Sequence, residues 1–219
     1  MQPTGIHEFL SQGWLLTLWL FLTGTCLAVL IADLRRNNSH LPSLMKFVWV
    51  LTVANSGPLG LAVYFYAGRK EIPRDTLARR SFRSVAHCYS GCGIGEILGI
   101  VIAVGMLALG NTWASVVTFC LAYLFGFALT LGPMLQEGAP FGQAVKDTAI
   151  SETASIVVME ATAIGIGLWL GGRAHMNEPL FWTALYVSLS AGLIAAYPVN
   201  VALIHWGIKS GMGSPKDAA

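Results

Sequence analysis

Long runs of apolar residues dominate this 219-residue chain and constrain its fold more than any other feature. A helix that spans the hydrocarbon core of a bilayer needs about 20 consecutive, mostly apolar residues. Hydrophobic residues make up 55% of the chain and charged residues only 11%, whereas soluble proteins carry about 25% charged residues. The sequence therefore predicts an integral membrane protein of the all-α class, with the lipid bilayer as its surroundings.

Six segments are long and apolar enough to span a membrane, and they predict one polytopic bundle of about six transmembrane helices over residues 1–219. The N-terminus has no basic region and no evident cleavage site, so the first run is expected to be a retained signal-anchor helix. The second run contains Asn55-Ser-Gly-Pro58, which predicts a break at mid-membrane. The predicted spans are residues 14–32, 47–67, 86–109, 113–134, 149–170 and 180–206.

The distribution of Lys and Arg predicts the orientation, because cytoplasmic loops carry an excess of these residues. With six alternating spans, nine basic residues fall on the side of the termini and four on the other side. This predicts a multi-pass protein of the inner (plasma) membrane with both termini in the cytoplasm. Arg35, Arg36 and Lys46 conflict with that arrangement, because they would face outward.

The third segment carries the candidate metal ligands. Cys88, Cys92 and Glu96 recur every four residues and therefore lie on one side of a helix. His87 lies about 100° around the helix from Cys88, and it joins this group only if the first turn is irregular. Thiolate and imidazole ligands suit Cu(I), Zn(II) or a heavy metal. The alternative is structural, since cysteine is a common small residue in apolar cores.

Polar residues in the fifth and sixth segments provide a candidate route for the ion. Carboxylates inside a bilayer cost about 2.5–3.5 kcal/mol on insertion scales and persist where they have a partner. A protonated glutamate bonded to a backbone carbonyl is the alternative for Glu160. Pro198 frees a backbone carbonyl beside Asn200. The predicted ion or proton pathway comprises Asp147, Ser151, Glu152, Glu160 and Asn200, and Met159 is a further metal ligand.

Glycines at Gly91, Gly95 and Gly99 also repeat every four residues. This spacing favours close approach of a second helix. It predicts tight packing within the bundle and allows a homo-oligomer through the same helix face.

Several function classes lack support in the sequence. No G-x-x-x-x-G-K-[ST] motif is present, so no nucleotide site is predicted, and the weak net charge of +2 does not favour nucleic acid. No catalytic Ser-His-Asp set stands in a credible order, and an enzymatic role is not favoured. Haem held between His87 and His205 stays open as an alternative cofactor.

The chain resembles a prokaryotic membrane family catalogued as domain of unknown function 4396, over about residues 49–212. The resemblance implies a membrane-helical fold and an association with the handling of copper and heavy metals. This sequence departs from the family pattern at Glu96, where the family tends to have Asp. The motifs that carry the resemblance are Trp49-Val-Leu-Thr, Gly57-Pro-Leu-Gly, Tyr64, His87-Cys-x-x-Gly-Cys92-x-x-Gly-Glu96, Ala144-Val-Lys-Asp-Thr-x-x-Ser151, Tyr197-Pro-Val-Asn200 and Gly207-Ile-Lys209.

These observations predict a membrane protein that binds, and transports, a soft or borderline transition-metal ion. Copper is favoured, with Zn or Fe as the other candidates, and the site would combine His, Cys and carboxylate ligands. Two alternatives stay open. One is a membrane thiol oxidoreductase that uses Cys88 and Cys92 as a redox pair, and the other is a non-catalytic membrane subunit or assembly factor.

Overall fold

The computed structural model describes residues 5–71, 74–172, 174–212 and 214–215. Within these ranges the chain forms eight α-helices and no β-strand, which confirms the predicted all-α bundle. A π-helical turn, Val101–Met106, extends α5. The helices are α1 (Gly5–Leu10), α2 (Gly13–Arg36), α3 (Ser43–Ser56), α4 (Pro58–Ala67), α5 (Leu77–Ile100), α6 (Asn111–Gln136), α7 (Phe141–Gly171) and α8 (Pro179–His205).

Five of these helices are long and apolar enough to cross a membrane. They are α2, α5 with its π-helical turn, α6, α7 and α8, with lengths of 24 to 31 residues and mean hydropathies of 1.6 to 2.3. Each overlaps one of the predicted spans. The α5 and α7 helices begin about two turns before their predicted apolar windows, because their polar first turns are also helical. The chain is therefore a helical membrane protein.

The second predicted span, residues 47–67, is instead a hairpin of two short helices. The rings of Trp49 in α3 and Tyr64 in α4 lie in edge contact, with centroids 5.3 Å apart, whereas 15 residues of one straight helix would separate them by about 22 Å. The reversal occurs at Gly57, whose φ of +53° favours glycine, and Pro58 begins α4. The expected break at mid-membrane is present, but it reverses the chain instead of bending one span.

The hairpin changes the face of the bundle that each described segment reaches. Both of its ends lie at the face of the bundle where α2 ends, as the 3.1 Å ion pair between Arg69 and Asp33 shows. The C-terminal segment also lies there, and we call this end the tail face. At the opposite end, the N-terminal face, the Thr183 hydroxyl donates to the Leu10 carbonyl. The expectation that both termini share one side depended on six crossings. With five, α1 and the described residues that follow α8 lie at opposite faces.

The α5 helix is the centre of the bundle, and glycines join it closely to α6. We call Gly91, Gly95 and Gly99 the glycine seam. A Cβ atom added at Gly95 would lie 2.5 Å from Cα of Ala122, and one at Gly91 would lie 2.8 Å from Cα of Gly126. No side chain fits between two backbones at that distance. The seam fixes the rotation of α5. Its opposite side, at Gly93, faces the hairpin, whereas Cys92 lies beside the seam, since a Cβ atom added at Gly126 would lie 2.6 Å from the Cys92 sulfur.

Candidate intramembrane cation site

The side of α5 that faces away from lipid carries a polar stripe. Ser84, Cys88, Cys92 and Glu96 follow one another at four-residue spacing, and all four are at most 3% exposed. The Cys88 and Cys92 sulfur atoms lie 4.0 Å apart. Both thiols are free. The stripe therefore brings two sulfurs and a carboxyl group into the interior of the bundle.

A second set of polar groups reaches the same place from α7. The Glu160 carboxylate faces the thiols of Cys88 and Cys92 and also the carboxylate of Glu96. Within the described residues, Oε2 of Glu96 and Oε2 of Glu160 are buried and have no hydrogen-bond partner. We call Cys88, Cys92, Glu96 and Glu160 the central cluster. Buried carboxyl oxygens without donors are costly unless a proton or a cation neutralises them.

The hairpin brings its tip to the central cluster. Asn55 is buried, and a Cβ atom added at Gly93 of α5 would overlap its side-chain amide. In the described part of the chain, Nδ2 of this amide has no hydrogen-bond partner. The Tyr89 hydroxyl, one helical position away from Cys88, faces Ser56 at the tip and both carboxylates of the cluster. Polar groups of the tip thus complete the surroundings of the acids.

A cavity connects the central cluster with the N-terminal face. It has a volume of about 130 Å³ and runs between α5, α6, α7 and α8, with room for several water molecules. Glu96 lies at its inner end, and its outer end is at Gly172, whose carbonyl accepts a hydrogen bond from the Asn111 side chain. Ser115, Thr118 and Ser188 add hydroxyl groups to its wall. Water and small cations can therefore approach Glu96 from this face.

A hydrogen-bonded network occupies the opposite end of the stripe, below the tail face. The Lys209 ammonium donates to Oε2 of Glu152 at 2.7 Å and to Oδ1 of Asn200 at 3.0 Å. The Ser84 hydroxyl donates to the same Asn200 oxygen at 3.0 Å, and the Asn200 amide donates to Ser155 at 2.5 Å. We call Ser84, Glu152, Ser155 and Asn200 the oxygen site.

Three residues predicted for the site lie elsewhere. The His87 ring contacts the Leu129 carbonyl of α6 at 3.3 Å. The α5 helix is regular at this point and directs the ring away from the thiols. Asp147 accepts a hydrogen bond from Gln143 at 2.7 Å, and the Ser151 hydroxyl donates to the Thr148 carbonyl. Both lie in the early turns of α7, where local partners satisfy them.

The other predicted residues are brought together. Cys88, Cys92 and Met159 belong to one buried apolar group, and Glu96 and Glu160 face each other beside it. Glu152 and Asn200 meet in the oxygen site. Among the described residues, however, no three His, Cys, Asp or Glu side chains are placed to hold a metal ion as they stand.

Sequence reasoning missed three participants in the site. Ser84 extends the Cys88–Cys92–Glu96 spacing by one step toward the tail face, and that regular interval was a usable signal. Asn55 was recognised only as part of a helix break. Lys209 was noted only within the Gly207-Ile-Lys209 motif of the family resemblance, and its contact with Glu152, 57 positions away, was not expected.

The fold and the site define a polytopic membrane protein with an internal polar site. A hairpin reverses inside the helical bundle, buried acids of α5 and α7 lie near its tip, and a cavity with room for several water molecules reaches them. Residues 77–209 match the family described as "Domain of unknown function (DUF4396)". This match covers more than half of the chain, so the protein belongs to that family, as the resemblance suggested. It begins with α5 and ends at Lys209, and it therefore includes the central cluster and the oxygen site. No curated protein and no solved structure matches the chain.

Proposed function

We propose that the protein transports a cation across the membrane through the central cluster, and that the cation is a soft or borderline transition-metal ion, with copper favoured. The observation that carries this proposal is the pair of partnerless, buried Glu96 and Glu160 oxygens beside two thiols. Burial of carboxyl oxygens without a partner is costly in a bilayer. A bound cation would offset that cost in the transporting protein.

The spacing of the sulfurs supports a metal ion rather than a purely hard cation. Sulfur ligands lie about 2.3 Å from zinc, so two of them on one ion are about 3.8 Å apart in a tetrahedral site and about 4.6 Å apart in a linear one. The 4.0 Å between Cys88 and Cys92 falls between these values. Thiolates favour Cu(I) in particular. Rotation of the Glu160 side chain, or of Met159, would supply a third ligand.

Metal binding by thiols releases protons, and the carboxylates of Glu96 and Glu160 are the nearest groups to receive them. The cavity gives these protons a route to the N-terminal face. Metal uptake and proton release would then be coupled at one place in the bundle.

The experiment is metal transport and metal content of the purified protein in liposomes, loaded separately with Cu(I) and Zn(II). We expect bound metal and flux in the parent protein and in Cys120→Ser, because Cys120 is exposed on α6. Both should fall to background in the double variant Cys88→Ser with Cys92→Ser. Equal metal content in the parent and the double variant would overturn the proposal.

The same preparations separate the two alternatives. A thiol oxidoreductase would cycle Cys88 and Cys92 between free thiols and a disulfide, which alkylation with and without reductant detects. Both thiols are at most 1% exposed, so a disulfide substrate has no access in this conformation. A non-catalytic subunit would bind no metal and would tolerate Glu160→Ala without loss of any function of its complex.

We also propose that the tail face is cytoplasmic and that the protein lies in the inner (plasma) membrane. Every Lys and Arg among the described residues lies at the tail face, and such an excess favours the cytoplasm. The hairpin removes the conflict at Arg35, Arg36 and Lys46, because it returns the chain to the face from which it came. The cavity would then open to the outside. The described basic residues are Arg35, Arg36, Lys46, Arg69, Lys70, Arg74, Arg79, Arg80, Arg83, Lys146 and Lys209.

A further inference from the structure

We propose that Lys209 closes the pathway at the tail face by occupying the oxygen site as a tethered cation, which a transported cation has to displace. The inference rests on the proposed transport function, since it assigns a gate to that pathway. The oxygen site differs from the central cluster in place and in chemistry. Its ligands are oxygen atoms, and the cation bound there is a side chain of the protein itself.

The oxygen site has the composition of a cation site. Glu152 provides a carboxylate, Asn200 a side-chain carbonyl, and Ser84 and Ser155 hydroxyl groups, and all four residues are at most 2% exposed. Oxygen ligands of this kind hold an ammonium group or a hard cation well, and a soft ion that leaves the thiols would bind them only weakly on its way out. In the structure the Lys209 ammonium takes that position, with oxygen contacts at 2.7 and 3.0 Å.

The oxygen site lies on the same polar stripe as the central cluster. Ser84 precedes Cys88 by four residues on α5, a rise of about 6 Å, and Glu152 precedes Glu160 by eight residues on α7, a rise of about 12 Å. A cation that leaves the central cluster toward the tail face therefore meets the Lys209 ammonium within about two helical turns. Like charges repel, so the pathway is closed while Lys209 stays bound.

The attachment of Lys209 allows it to leave without unfolding a helix. The α8 helix ends at His205, and Lys209 lies between Gly207 and Gly211, which both have positive φ values. Beyond it, Arg83 donates to the Met212 carbonyl at 3.1 Å. Lys209 thus lies on a short strap that is fixed at both ends and has glycines on either side of the charge.

The two ends of the pathway differ in a way that fits a closed gate. The cavity reaches Glu96 from the N-terminal face, whereas Lys209 and its partners fill the corresponding region below the tail face. The cavity beside Glu96 therefore opens toward the N-terminal face. Release of Lys209 would open the pathway toward the tail face.

The test is the rate at which a small, positively charged, water-soluble thiol reagent modifies Cys88 and Cys92 from the tail face. The other two cysteines are replaced (Cys26→Ala, Cys120→Ala), and mass spectrometry of oriented membrane vesicles gives the rate. We expect at least a tenfold increase for Lys209→Gln and for the double variant Lys209→Gln with Glu152→Gln, which leaves no unpaired buried charge. Lys209→Arg and the matched control Lys146→Gln should label at the parent rate.

Equal labelling rates in the parent and the double variant would overturn the proposal. An equal increase in Lys146→Gln would also overturn it, since general loosening would then explain the result. Labelling requires no metal, so this experiment can reject the Lys209 gate without rejecting metal transport, and the reverse. Faster labelling without metal flux in any variant would retain the gate and reject the metal transporter.

Discussion

Nζ of Lys209 lies 2.7 Å from Oε2 of Glu152, and both side chains are at least nine-tenths buried. Removing one member of a buried ion pair leaves the other charge without compensation, which costs about 3–5 kcal/mol. We therefore expect Lys209→Met to lower the free energy of unfolding by that amount, measured by denaturation in detergent micelles. The double variant with Glu152→Gln should lose less than the sum of the single losses. Strict additivity would show that the pair is not coupled.

Glu160 should matter for transport and not for stability. One of its carboxyl oxygens is buried without a donor, and removing an unsatisfied buried group relieves a penalty of about 1–3 kcal/mol. We expect Glu160→Leu to leave the free energy of unfolding unchanged or raised by about 1 kcal/mol, while metal flux into liposomes is lost. A destabilised variant with normal flux would contradict the assignment of Glu160 to the cation site.

The hairpin predicts which engineered cysteines react from which side. Ser43 and Lys70 lie before and after it, and both should lie at the tail face. We expect Ser43→Cys and Lys70→Cys to react with an impermeant thiol reagent from the same side of the membrane, and Asn177→Cys to react only from the other. Six crossings would instead place positions 43 and 70 on opposite sides, and that labelling pattern would reject the hairpin.

The glycine seam predicts a local loss of stability. A Cβ atom at Gly95 would lie 2.5 Å from Cα of Ala122, so Gly95→Ala forces α5 and α6 apart. Overpacking of this kind costs about 1–3 kcal/mol. Gly165→Ala is the matched control, because Gly165 is also helical and has nothing within 4 Å of an added Cβ atom; it should be neutral or stabilise by up to about 1 kcal/mol. Thermal unfolding of the two variants gives the comparison, and equal effects would show that the seam does not limit packing.

Apolar run length predicted five of the crossings and failed for the sixth. The segment 47–67 is as apolar as a span, and Asn55–Pro58 predicted that its helix would break. The direction after the break depends on the Trp49–Tyr64 contact and on the fit of Asn55 against Gly93. These are contacts between elements, and hydropathy along the chain carries no information on them.

The site was predictable where helical periodicity determines it. Four-residue spacing placed Cys88, Cys92 and Glu96 together. In the structure the Glu160 side chain of α7 faces these three residues. His87 was included because it adjoins Cys88 in sequence, but adjacent residues of a regular helix point about 100° apart. Residues that reach the site from a coil, above all Lys209, have no period and could not be found in this way.

The glycine seam also limits how the protein can rearrange. At Gly91, Gly95 and Gly99 the α5 backbone packs directly against α6, which leaves little room for either helix to slide or repack. The two helices therefore act as one rigid body. In the proposed transport cycle, the motion that presents the acids to first one side of the membrane and then the other would therefore fall to α7, α8 and the hairpin.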